Sequence, residues 1–133
     1  MQITLEKLFF DRILIEELVR RGVNVTYVVK GAPILNDATL QDAKMAGIDR
    51  LAKVTSTGTD CIGVLLNECS REFLRRFENS ELVISKGEAN YESLSDIKKQ
   101  GIFFLLKVKC PIIAEDVGTR TGSIVLKSFF ENE

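Results

Sequence analysis

The stretch Val23-Asn24-Val25-Thr26-Tyr27-Val28-Val29-Lys30, followed by Gly31-Ala32-Pro33-Ile34-Leu35-Asn36-Asp37, decides the fold. Its first half is short, β-branched and almost continuously apolar, as expected of a central strand covered on both faces. Its second half breaks that pattern with glycine, proline and polar residues. Upstream, Leu5, Leu8, Phe9, Ile13, Ile15, Leu18 and Val19 have the spacing of a helix that buries much of its surface. Glu16 and Glu17 stand four residues before Arg20 and Arg21, which supports the wet side of that helix, and Gly22 is a natural stop. Downstream, Asn36 or Asp37 can cap a helix that runs through about Ala46 and ends at Gly47.

The same rhythm continues along the chain. Ala52 to Thr55 reads as a strand, and Ser56-Thr57-Gly58-Thr59-Asp60 as a polar loop. Ser70 can cap a short helix through Phe77, with Glu72 and Arg76 as a favourable pair. Leu82 to Ser85 is a buried strand, followed by Lys86-Gly87-Glu88-Ala89-Asn90. Ser93 to Lys99 is weakly helical with Gly101 as its stop, and Ile102 to Val108 is the most apolar strand. A turn from Gly118 to Gly122 leads to a last strand over Ser123 to Ser128. Helices alternating with buried strands predict one α/β domain over residues 1–133, with a mainly parallel sheet and right-handed crossovers.

Composition narrows the function. The chain has 133 residues, 45% hydrophobic, so it can bury a core. A net charge of −1 gives no electrostatic reason to expect nucleic acid. No apolar run reaches membrane-spanning length, and no leader-like segment precedes the first charged helix. Cys61, Cys69 and Cys110 lack metal-type spacing and read as buried, reduced thiols of a cytoplasmic protein. The absence of histidine removes a Ser-His triad, a His-bearing zinc site and an imidazole base.

Ligands of such sheets sit beyond the carboxyl ends of the strands. Three successive strands here end in small and polar residues: Lys30 to Asp37, Ser56 to Asp60, and Lys86 to Asn90. Right-handed crossovers bring these loops to one edge. A hard divalent cation wants oxygen ligands, which Asp37 supplies. A phosphate wants backbone N–H groups and positive charge, which Gly58, Gly87 and Lys86 supply. Each feature also has a plain structural reading. Asp37 can be only a helix cap, the 56–60 loop only a turn, Lys86-Gly87 only a surface turn, and Asn90 to Glu92 only a helix start.

At these residues the sequence resembles the damage-control phosphatase family, a metal-dependent group that includes the pantothenate-kinase-associated phosphatases. The resemblance rests on four ordered stretches: Val28 to Thr39, Ser56 to Asp60, Leu82 to Glu92, and Phe103 to Glu115 with its Lys109-Cys110-Pro111. Asp11 to Leu18 also fits the helix before the first of them. The resemblance implies a three-layer Rossmann-like domain that matches the C-terminal catalytic region of the family. It further implies hydrolysis of phosphomonoesters of small metabolites with a divalent ion such as manganese, magnesium, nickel or cobalt. On that basis Asp37 matches a catalytic metal ligand, with Asn36 as its polar neighbour. Lys86 and Gly87 match the phosphate-holding turn, Thr57 and Gly58 a loop lining the pocket, and Asn90 a site-facing amide.

One departure bears on activity. The family's Asp-Asn ligand pair ends a strand just before the first helix, and the corresponding stretch here is Ile3-Thr4-Leu5-Glu6-Lys7. The pair, its strand and the family's helical N-terminal region have no counterpart here, and Glu6 reads as part of an ordinary helix face. The resemblance therefore implies weak metal binding and an incomplete or inactive phosphatase-like domain. The alternatives are a non-catalytic anion-binding or protein-interaction module, or one part of an enzyme completed by another chain, whether an N-terminal chain or a second copy in a homo-oligomer.

Overall fold

A computed structural model describes residues 5–34 and 38–128, with side chains from Leu8 onward. The chain divides into two compact units, one over residues 1–61 and 68–73, the other over 62–67 and 74–133. Each unit combines helices with at least one parallel strand pair, so the chain is α/β as the sequence predicts.

The first unit opens with α1 (Leu5–Arg20), followed by β1 (Thr26–Val29), α2 (Leu40–Met45) and β2 (Lys53–Ser56). The strands pair in parallel, from Thr26 opposite Lys53 to Val29 opposite Ser56. Leu8, Ile15, Val29, Ala43, Ala46 and Ile48 form the core, which Val25, Tyr27, Leu51 and Val54 extend. Helix α1 buries a narrower face than its composition predicts. Leu8, Asp11 and Ile15, at helical spacing, turn inward, while Phe9, Phe10 and Ile13 stay in solvent. Buried Asp11 accepts a hydrogen bond from the Tyr27 hydroxyl at 2.7 Å, which joins helix to strand. Arg12 reaches the carbonyl of Ala46 at 3.2 Å and secures the end of α2. The charged side of α1 also differs in detail from the expected pairs. Glu17 holds both Arg20 and Arg21, while Glu16 pairs backwards with Arg12.

Two local expectations are corrected here. Strand β1 begins at Thr26 rather than Val23, and Val28 is 38% exposed while Val29 is buried, so it is covered on one face only. The cap of α2 is Thr39, not Asn36 or Asp37. The Thr39 hydroxyl accepts from the Asp42 N–H at 3.3 Å, and the Asp42 carboxylate accepts from the Thr39 N–H at 2.9 Å. This reciprocal box satisfies two otherwise orphaned donors. Asn36 and Asp37 lie outside the described residues, as does the side chain of Glu6, but the cap position is already filled.

The second unit carries β3 (Val83–Lys86), α4 (Glu88–Leu94), β4 (Ile102–Lys107), α5 (Pro111–Val117) and β5 (Ile124–Lys127). α3 (Arg71–Asn79) precedes them, and the Ser70 hydroxyl accepts from the Phe73 N–H at 3.2 Å, the cap read from the sequence. β3 and β4 pair in parallel, and β5 adds antiparallel to β4. Ile102, Phe104 and Leu106 alternate inward along β4, and the Tyr91 ring meets Phe104 edge-on at 5.2 Å. The helix expected over Ser93 to Lys99 lies earlier, at α4. There the Ser93 hydroxyl donates to Ala89 O and accepts from Val64 N–H at 2.8 Å. α5 was not anticipated; it starts with Pro111 at its first position, where a missing N–H costs nothing. The three cysteines are unbridged and half-buried rather than buried. No helix among the described residues is long and apolar enough to cross a membrane.

Two outcomes test this description. Thr39→Ala lowers unfolding stability by about 1 kcal/mol through loss of the cap, whereas Asp37→Ala leaves α2 capped; denaturant titration of both variants checks it. Burial, and then the neighbouring Asp11 charge and hydrogen bond, push the Tyr27 hydroxyl well above its ordinary pKa of 10.0. The pair's contribution is therefore fully present below pH 10.0 and is lost as the pH rises towards the folded-state value. Tyr27→Phe costs about 1–3 kcal/mol at neutral pH and flattens the alkaline fall of the unfolding midpoint.

Candidate functional site

At the carboxyl end of β1 and β2, three chain segments lock together through their backbones. The Thr57 N–H donates to Val29 O at 2.9 Å, Gly31 N–H to Thr59 O at 2.8 Å, and Ser70 N–H to Thr57 O at 2.8 Å. The packing is close enough to require glycine. A Cβ on Gly31 would lie 2.7 Å from the Thr59 nitrogen, and one on Gly58 2.8 Å from the Ser70 Cβ. Gly58 also adopts φ +78°, a left-handed conformation that glycine reaches without strain.

The side chains of this interlock are chemically distinctive. Thr57 is 3% exposed, and its hydroxyl donates to Thr59 O at 3.1 Å. Lys30, which follows β1, is only 8% exposed. Burying an ammonium is costly unless it is paired. The thiol of Cys69 senses both effects. Burial pushes its pKa up, while the positive charge of Lys30 pulls it the other way. Sequence reasoning placed Lys30 at the start of a polar loop but gave it no role, because a strand-end lysine is ordinarily solvated. Thr57 and Gly58 are where the sequence expected them. The Gly58 N–H, however, is not an open phosphate donor: it is bonded to the Ser56 hydroxyl at 3.2 Å.

The second unit has its own strand-end arrangement. Lys86 closes β3 half-buried, and Gly87 turns the chain with φ +88° into α4. The Gly87 N–H donates to Leu105 O at 3.0 Å, so it belongs to the sheet ladder and is likewise not open to a ligand. The Asn90 side-chain amide donates to the Lys86 carbonyl at 2.9 Å and fixes this turn. Glu88 adds a bracket that the sequence did not reveal. Its two carboxylate oxygens accept from the backbone N–H groups of Lys109 and Cys110, at 3.0 and 3.2 Å. The Lys86-Gly87 turn and the Lys109-Cys110-Pro111 turn are thereby joined at the carboxyl ends of two neighbouring parallel strands. Lys86 and Lys109 are thereby brought to neighbouring strand ends, with the Glu88 carboxylate between their turns. Behind it, the Tyr91 hydroxyl donates to Asp116, and burial followed by that bond raises its pKa.

The described residues were also tested against a divalent ion. Among them, no group of three His, Cys, Asp or Glu residues could hold one. Asp37, the ligand expected from sequence, lies outside the described residues. The described part of the chain therefore does not by itself make a metal centre.

Residues 7–125 match the damage-control phosphatase ARMT1-like domain. An uncharacterized protein of Methanocaldococcus jannaschii is 50% identical over 123 residues, which cover 90% of this chain and 40% of that protein. Damage-control phosphatases of Pyrococcus horikoshii and Archaeoglobus fulgidus are 45% and 40% identical, over 88% and 91% of this chain and 41% and 42% of their own lengths. The crystal structure of a DUF89 family protein from Pyrococcus horikoshii superimposes with a TM-score of 0.83 at 45% identity, covering 86% of this chain and 41% of that one. The chain thus spans about two fifths of the length of the relatives it matches. With residues 7–125, nearly the whole of this chain, matched by the family model, the chain belongs to the damage-control phosphatase ARMT1-like family.

Proposed function

We propose that this chain supplies the C-terminal part of a damage-control-type phosphatase, holding the phosphoryl group of a small phosphorylated metabolite at the strand ends described above. The observation that carries the reading is the family match over residues 7–125. The paired cationic turns at Lys86 and Lys109 support it, because the transferred group of a phosphomonoester is an anion whose charge must be offset. Lys86 provides that charge and Asn90 holds the turn that carries it, while in the first unit the Gly31–Gly58 interlock fixes the loop containing Thr57.

Asp37 and its neighbour Asn36 are the proposed metal-side residues. A divalent ion, manganese, magnesium, nickel or cobalt, would polarise phosphoryl oxygens when bound. One carboxylate alone holds such an ion weakly, so full activity requires further ligands from outside the described residues. Those ligands would come from an N-terminal region, on the same or a completing chain, or from a second copy of this chain. We place the protein in the cytoplasm, in keeping with its unbridged cysteines, and assign it neither nucleic-acid nor membrane partners.

The test is a screen of small phosphomonoesters with manganese, magnesium, nickel and cobalt, paired with calorimetric titration of the same compounds. The phosphatase reading predicts turnover that increases when the completing region is co-expressed. Millimolar binding without turnover under both conditions supports the non-catalytic anion-binding alternative, and neither binding nor turnover contradicts both. Lys86→Ala is expected to weaken anion binding roughly tenfold at low salt and much less at high salt, as screening of an exposed charge requires. Equal binding at both salt levels removes Lys86 from the site.

A further inference from the structure

Two of the three cysteines stand beside the interlock at the end of β1 and β2, and the proposed function uses neither. The chain leaves the first unit after Cys61 and re-enters it at Glu68, so Cys61 and Cys69 both belong to that unit, whereas Cys110 belongs to the other. Hydrogen bonds tie the two crossing points to one loop. On the returning side, Ser70 N–H donates to Thr57 O at 2.8 Å, and a Cβ on Gly58 would lie 2.8 Å from the Ser70 Cβ. Cys69, one residue before Ser70, is therefore held against the loop over residues 57–59. On the leaving side, the Thr59 hydroxyl donates to the Cys61 Sγ at 3.1 Å and accepts from the Cys61 N–H at 3.3 Å. The same short loop thus anchors both thiols.

The surroundings suit exchange chemistry. Both thiols are half-buried, so a small reagent reaches them while the backbone holds them in place. They also lie within each other's field. Burial pushes the Cys69 pKa up, the positive charge of Lys30 pulls it down, and the charge of Cys61 pushes it up again. A charge on one sulfur acts on the other only at short range. The thiolate is the nucleophile of disulfide exchange, and the neighbouring Lys30 favours it. Bridging the two sulfurs removes their mutual repulsion and requires a close approach of the two backbones, which the loop already supplies.

We infer that Cys61 and Cys69 form a reversible disulfide by exchange with a small-molecule disulfide such as oxidised glutathione, and that this bond reshapes the loop over residues 57–59. In the first step the Cys61 thiolate attacks one sulfur of glutathione disulfide, the S–S bond breaks, and one glutathione thiolate leaves. In the second, the Cys69 thiolate attacks the Cys61 sulfur of the mixed disulfide and expels the other glutathione thiolate. The protein loses two protons and two electrons, and glutathione disulfide becomes two glutathione thiols. Cys61 must turn its sulfur towards Cys69, which takes it from the Thr59 hydroxyl. Thr59 O also accepts from Gly31 N–H and from the Thr57 hydroxyl, so the change passes directly into the interlock. This inference does not depend on the chain hydrolysing phosphate esters.

The test equilibrates the native chain in buffers of reduced and oxidised glutathione, blocks free thiols by alkylation, and maps the peptides by mass spectrometry. A Cys61–Cys69 linked peptide is expected to grow with the oxidised share and to vanish on adding dithiothreitol, while Cys110 stays alkylated. The urea-unfolded chain is the control, and it should spread its linkages over all three cysteines. Cys69→Ser should strand the reaction at a glutathione adduct on Cys61 that persists roughly tenfold longer than in the wild type. Should that variant fail to fold, the wild-type map decides. Amide NMR of the oxidised chain should show shifts at residues 57–59 and none at 86–90. Stable glutathione adducts without closure, linkage of either thiol to Cys110, bridges only between separate chains, or full alkylation of all three cysteines in the oxidised buffer would each overturn the inference. A bridge that leaves the 57–59 amides unmoved would overturn its coupling to the loop.

Discussion

The backbone interlock at the end of β1 and β2 is the constraint on which the first unit's site depends. Val29, Thr57, Thr59 and Ser70 exchange main-chain hydrogen bonds across three separate segments. Those bonds form only because Gly31 and Gly58 present no Cβ to the backbone and side chain pressed against them. With the backbone polarity satisfied locally, the remaining chemistry falls to side chains. Thr57 becomes buried, and Lys30 is held away from water beside Cys69. The second unit achieves the same end by another route: a carboxylate, Glu88, grips two backbone N–H groups and draws one lysine-bearing turn to another. In both units main-chain geometry is set first and charge is placed upon it.

Much of this was legible in the sequence, and the failures have identifiable causes. The strand centres, the stop at Gly22 and the cap at Ser70 follow from local pattern, and the structure agrees. The cap of α2 was misread because Asn36, Asp37 and Thr39 are all good capping types. Only the acidic residue three places after Thr39 distinguishes them, and Asp42 is that residue. α5 was missed because Pro111 reads as a break, although proline is favoured at a first helical position. The helix read over Ser93 to Lys99 lies earlier, because in the structure Ser93 is inside α4 and its hydroxyl bonds back to Ala89 O. The glycines of the candidate site were found, but for a partly mistaken reason. Their N–H groups are engaged at Ser56 and Leu105, so their contribution is conformational. Lys30 had no signal at all, because burial of a charge is a tertiary property.

The family assignment and the pairing of β1 describe the chain from independent directions. Sequence similarity says that the chain corresponds to about two fifths of longer relatives. The hydrogen-bond pattern, without reference to any relative, shows an apolar strand that pairs on one side among the described residues. Exposed apolar residues on α1, with Phe10 at 73%, accord with a surface that is covered in a larger assembly.

The central claim is that the turns after β3 and β4, joined by Glu88, serve one anion. Titration of the chain with inorganic phosphate, followed by amide NMR shifts, tests it most directly. The account predicts that amides of residues 86–90 and 108–110 shift together along a single saturation curve. Shifts confined to one turn, or following two unrelated curves, would contradict it.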